Sequence, residues 1–139
     1  MKTLALIITF TLTSIFAYTQ EKTESVSVTV KVDNPLNDNG HVLIGLHTID
    51  TFMKGKGIQN AKSKVKDGKV IVTFENVTPG NYAIMVLHDE NDNERMDMEV
   101  NGMPKESYGM SNNPMLYGPP TFNDAQFELT ENKEIIIRF

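Results

Sequence analysis

Oxygen-bearing side chains alternate through one short stretch, His88-Asp89-Glu90-Asn91-Asp92-Asn93-Glu94-Arg95-Met96-Asp97. With Asp89 counted as position one, side-chain oxygens fall at positions one, three, five and nine, on Asp89, Asn91, Asn93 and Asp97, and the Arg95 carbonyl falls at seven. A hard cation such as Ca²⁺ takes roughly six to eight oxygens at about 2.3–2.6 Å, and a tight loop supplies them by mixing carboxylate, amide and backbone groups. The spacing predicts a Ca²⁺ site built from Asp89, Asn91, Asn93, Arg95 and Asp97. With only two carboxylates in that set, a dissociation constant of about 10⁻⁴–10⁻³ M is expected, which is adequate outside a cell.

The pattern resembles the calcium loops of EF-hands and, with its acid at position nine, the shorter hairpin loops of extracellular β-proteins. Two positions depart from it. Position six, where glycine normally lets the chain turn sharply, is Glu94, and position twelve is Val100 in place of a bidentate glutamate. Glu99 or Glu106 could fold in to complete the shell, and Glu106 is taken as the sixth ligand. The competing expectation is a solvated acidic turn whose Asn and Asp side chains hydrogen-bond their own backbone.

Other constellations are weaker. A hydrolase would pair His88 with Glu106 or Ser111, yet no nucleophile-elbow motif surrounds either serine of the region. Met96, Met98, Met103, Met110 and Met115 crowd one segment. Thioethers suit Cu(I), although methionine more often fills an irregular core. His41 and His47 are six residues apart on one strand, roughly 20 Å at strand rise, and cannot share a metal. The chain has no cysteine, which excludes disulfides, thiolate zinc sites and a Cys nucleophile.

The elements that must position these groups read as strands. Val26, Val28, Val30 and Val32 alternate with polar residues, the period of a half-buried strand. His41 to Thr48 makes a second strand after the turn-rich stretch 34–40. Lys62 to Lys66 and Lys69 to Glu75 flank Asp67-Gly68 and predict a two-residue hairpin, with Val65, Val70, Val72 and Phe74 inward. Asn81 to Leu87 is apolar on both faces and predicts a central strand. Thr121 to Leu129 and Lys133 to Phe139 close the chain as two short β-rich segments. No window sustains a helical period. About seven short strands predict an all-β fold, a single β-sandwich over 24–139 with a long irregular loop at 88–121. Loops that long in a compact domain usually carry function or are disordered.

The N-terminus has the order of a secretory signal: Lys2, an uncharged apolar run from Leu4 to Phe16, then the small Ala17. Residues 1–17 are expected to be removed, with cleavage after Thr19 as the alternative. The run is too short for the roughly 20 residues of a spanning helix, so no transmembrane segment is expected in the mature chain. Export predicts a secreted, periplasmic or cell-envelope location. A net charge of −5 argues against nucleic acid.

With these residues in view, the chain resembles a family of small secreted bacterial proteins grouped as domain of unknown function 2141. The shared residues are Asn76-Val77, Pro79-Gly80, Tyr82-Ala83-Ile84, His88-Asp89-Glu90-Asn91, Asn93, Asp97, Gly102, Pro104, Glu106, Tyr108-Gly109, Ser111-Asn112, Phe122 and Ala125. The resemblance implies an Ig-like or prealbumin-like β-sandwich of carboxypeptidase-regulatory type with no established activity. It also implies that 102–112 forms one ordered unit with the Asp/Asn loop, and that Glu106 or the Ser111-Asn112 turn completes a cation shell or pins the loop. The family usually has glycine where this chain has Glu94. The functional expectation is an exported non-enzymatic module, Ca²⁺-stabilised at 89–97, that binds an extracellular or envelope ligand. The hydrolase and the methionine copper binder stand as alternatives.

Overall fold

The computed structural model describes residues 24–139, so the expected signal segment lies outside it. Among the described residues, eight strands form two facing sheets: β1 (Val26–Asp33), β2 (His41–His47), β3 (Gln59–Ser63), β4 (Lys69–Val77), β5 (Gly80–Asp89), β6 (Tyr108–Met110), β7 (Phe127–Leu129) and β8 (Lys133–Arg138), with one short helix, α1 (Phe122–Ala125). One sheet has the order β4-β1-β8, and the other runs β3-β2-β5-β6 with β7 also on β5. β1 is antiparallel to β4 and parallel to β8. No helix among the described residues is long and apolar enough to cross a membrane.

Period-two patterning does what it should. Val28, Val30 and Val32 are fully buried and meet Val42, Ile44, Leu46, Ile84 and Val86 across the sandwich, with Ile137 beside them on β8 of the same sheet. Full burial of side chains of this size is worth about 1.5–3 kcal/mol each, which makes this row the main support of the fold. The alternate residues of β1 face solvent, where the hydroxyls of Thr29 and Thr73 pair across strands at 2.9 Å.

β5 is the central strand expected, and the reason for its two apolar faces is visible. Its even-numbered side chains enter the main core. Ala83 and Met85 face the other way, under a second cluster of Phe52, Met110, Leu116, Phe122 and Ala125. Phe52 and Phe122 meet edge to face at 5.8 Å. The segment after β6 therefore folds back over the sheet instead of trailing into solvent.

Two local expectations need correction. Asp67 and Gly68 do form a tight turn, both at positive φ, closed by reciprocal Lys66–Lys69 backbone bonds. The arms then part at once, β3 joining β2 and β4 joining β1. A two-residue turn fixes only its closing pair, and which sheet buries each arm decides the rest. The start of the expected strand 121–129 is instead α1, held by a capping box between Thr121 and Asp124. This also keeps the Asp124 carboxyl below its usual range, through the Thr121 hydroxyl first and then its backbone.

Candidate functional site

β5 ends where the Asp/Asn loop begins, and alternation sends His88 and Asp89 to opposite faces, both with 0% exposure. The Asp89 carboxylate turns into the loop, where Oδ1 accepts the Asn93 N–H at 3.1 Å and Oδ2 the Glu94 N–H at 2.8 Å. That wraps 89–94 into a turn with Asp92 and Glu94 both at φ 60°. Glu94 thus occupies the left-handed conformation that its position requires, at a cost of about 1–2 kcal/mol for a residue with a Cβ.

The loop closes on Asp97. Asn91 Nδ2 donates to Asp97 Oδ2 at 2.6 Å, and Asn93 Nδ2 reaches Oδ1 at 3.0 Å and Oδ2 at 3.1 Å. The carbonyl ends of the same amides accept backbone bonds, Asn91 from the Asn93 N–H and Asn93 from the Arg95 N–H. The Asn91 and then the Asn93 hydrogen bond hold the Asp97 carboxyl below its ordinary value of 3.8.

Glu106 is the keystone of this unit. Only 7% exposed, it accepts the Glu90 N–H through Oε1 and the Asp97 N–H through Oε2, each at 3.1 Å. One carboxylate thus grips both ends of the loop. Between Asp97 and Glu106 the chain makes a β-finger: Lys105 N–H bonds Asp97 O, Glu99 N–H bonds Met103 O, and Met98 bridges Pro104.

Neighbouring elements hold the loop from outside. The Gly40 turn lies against it so closely that a Cβ there would sit 1.9 Å from Asp89 O. Asn37 Nδ2 donates to Glu90 at 2.9 Å. His88 Nε2 carries a proton, because it bonds the Asn39 carbonyl at 2.9 Å, and its ring stacks on Phe139. His88 Nδ1 is buried without a partner among the described residues. On the β2–β3 side, Asp92 meets His41 and Lys62, and Lys62 also meets Glu94 at 3.3 Å. The His41 hydrogen bond keeps the Asp92 carboxyl low. The role of Gly40 was not foreseen, although the Asn39-Gly40 dipeptide marks the turn.

A family model described as an uncharacterized protein conserved in bacteria (DUF2141) matches residues 30–137. The chain belongs to that family. No curated protein and no solved structure matches it.

Of the six expected ligands, this DUF2141 domain brings Asn91, Asn93 and Asp97 together, turns Asp89 onto the loop backbone, and uses Glu106 as a clamp on the loop's backbone. Arg95 contributes its N–H to Asn93. No cluster of three or more His, Cys, Asp or Glu suited to a metal occurs among the described residues. A cation here would rest on one carboxylate, amide oxygens, backbone and water. Ser111 is fully buried, donates to Ala125 O and accepts the Ile84 N–H, so its hydroxyl is engaged in tying the end of α1 to β5. The side chains of His88, Glu106 and Ser111 each hydrogen-bond to different backbone groups and not to one another. The methionines diverge as well. Met110 is buried in the second cluster, Met115 is exposed, and Met98 and Met103 fall on opposite faces of the finger by strand alternation. Two surface hollows among the described residues, of about 260 and 330 Å³, are lined by none of the residues 89–97.

Proposed function

We propose that this domain is an exported, non-catalytic binding module whose 89–106 unit is locked by a divalent cation, Ca²⁺ by its oxygen chemistry, and presents the 97–105 finger to an extracellular or envelope ligand. The observation that carries the reading is the convergence of the Asn91 and Asn93 amides on the Asp97 carboxylate. There, two N–H donors do the electrostatic work that a cation would do. Rotating each amide by half a turn exchanges Nδ2 for Oδ1 at almost the same point. Two amide oxygens and Asp97 would then face one centre, with the Arg95 carbonyl and water available to bring the count toward the roughly six to eight that Ca²⁺ takes.

The exchange gives up the two backbone bonds that the amide oxygens accept, so affinity stays weak, on the order of 10⁻⁴–10⁻³ M. At such affinity the cation acts as a stabiliser in calcium-rich surroundings. Calcium at about 1 mM, one to ten times such a dissociation constant, stabilises a fold by about 0.4–1.4 kcal/mol. Exposed Met98, Val100 and Met103 on the finger support the binding role, since flexible apolar side chains adapt to partners. The test is a melting curve with millimolar CaCl₂ and with MgCl₂ at equal ionic strength. The expected result is a calcium-specific rise in Tm that Asp97→Asn abolishes. A melt indifferent to calcium overturns the reading.

A further inference from the structure

β8 is an edge strand, and its edge carries an unusual cover. Phe139 N–H bonds Asp33 O on β1, so the odd-numbered residues of this strand face β1, and Glu134, Ile136 and Arg138 direct their backbone groups away from it. One side chain meets that outward edge: Asn113 Nδ2 donates to Ile136 O and Asn113 Oδ1 accepts the Arg138 N–H, each at 2.8 Å. A single amide thereby copies the donor and acceptor that a neighbouring strand would offer, and the residue takes φ 45° to do so. Behind it lies Lys133-Glu134-Ile135-Ile136-Ile137-Arg138, a β-branched run without proline of the kind that pairs readily when its edge is bare.

We propose that β8 is a self-complementary docking edge for a second copy of this chain, and that Asn113 guards it. An antiparallel pair with its two-fold axis at Ile136 sets Ile136 opposite Ile136 and Glu134 opposite Arg138. All three residues have their backbone groups turned to the free edge, so each pair is a hydrogen-bonded one. Both charge pairs are then of opposite sign, which favours this register. A one-residue shift would set Arg138 opposite Lys133, whose backbone groups face β1, and cannot form the ladder; a two-residue shift sets Ile136 opposite Arg138 or Glu134 and loses both charge pairs. Gly109 of β6 also lies against the Arg138 carbonyl, so withdrawal of the turn that carries Asn113 frees the Ile136 carbonyl and the Arg138 N–H, and two copies join as a continuous sheet once the end of β6 shifts with that turn.

The experiment uses the full chain, which has no native cysteine to confuse it. Asn113→Gly removes the amide and relieves the positive φ. It should sediment as a dimer at concentrations where the unsubstituted chain is a monomer. Ile136→Cys places a thiol on the axis, where Cα atoms about 5.5 Å apart suit a disulfide. With oxidised glutathione, its crosslinked yield should rise about ten-fold or more once Asn113→Gly is added. Adding Glu134→Arg should return the yield to baseline, and adding Arg138→Glu as well should restore it. Equal yields with and without Asn113 overturn the proposal, as does a dimer indifferent to the charge changes. Should Asn113→Gly not melt cooperatively, Asn113→Asp, which loses the donor to Ile136 O, is read by the same criteria.

Discussion

Removal of the Glu106 carboxylate tests whether the loop is held as described. Its two oxygens accept the Glu90 and Asp97 N–H groups from a nearly buried position. Hydrogen bonds to a charged group are worth about 1.5–3 kcal/mol each, and truncation to alanine leaves both donors without their acceptor. Against that sum stands the rotamer freedom of a glutamate, up to about 2 kcal/mol, and water that reaches the opened loop. Glu106→Ala should therefore destabilise the domain by about 2–3 kcal/mol, a Tm loss on the order of 10 °C for a domain of this size. Urea denaturation supplies the free energy, and amide exchange supplies the location. The Glu90 and Asp97 amides should exchange about ten-fold faster or more, while those of β1 follow global unfolding alone. Glu106→Gln, which keeps one acceptor, should fall between. A Glu106→Ala protein within about 0.5 kcal/mol of the parent, with both amides still protected, refutes the clamp.

The other perturbations act on single contacts around the same unit. Ser111→Ala leaves the Ile84 N–H and Ala125 O without their partner and should cost about 1–3 kcal/mol by urea denaturation. Gly40→Ala forces a Cβ onto Asp89 O in a left-handed backbone, and should abolish cooperative melting or lower stability by more than about 3 kcal/mol. Glu94→Gly releases the φ 60° strain and loses an exposed ion pair with Lys62, so a net gain of about 0.5–1 kcal/mol is expected in the same assay. The folded-state Asp97 carboxyl titrates below 3.8, so its contribution is present above that value and lost as pH falls through the lower folded value. An acid titration by NMR should show the Asn91 and Asn93 side-chain amides shifting below pH 3.8, a response absent from Asp97→Asn.

Much of the architecture could be read from periodicity. The valines of β1 and the doubly apolar run of β5 announce their burial, because a period of two maps directly onto the faces of a sheet. Strand partnership could not be read. Asp67-Gly68 specifies a tight turn, and nothing in Lys62 to Lys66 says that the arm before it pairs with β2. The 88–121 region looked irregular because it is held by side chains rather than by a ladder. Ser111 substitutes for strand pairing along β5, Asn113 along β8, and Glu106 across the loop. Such bonds join residues far apart in sequence and leave no periodic trace. At the candidate site, spacing grouped Asn91, Asn93 and Asp97, whose side chains hydrogen-bond to one another, and it marked Glu94 as a residue in a glycine-like conformation. It offered Glu106 either as a ligand or as a pin for the loop, and its hydrogen bonds run to the Glu90 and Asp97 backbone. Only side-chain geometry distinguishes the two.

Isotope-edited NMR of the Asn91 and Asn93 side-chain NH₂ groups during a calcium titration bears most directly on the cation claim. Both amides are predicted to shift together and saturably in the millimolar range, with Mg²⁺ at the same ionic strength having little effect, as they turn their oxygens from backbone to ion. Resonances that stay fixed throughout the titration would contradict it, and the loop would then be a unit closed by hydrogen bonds alone.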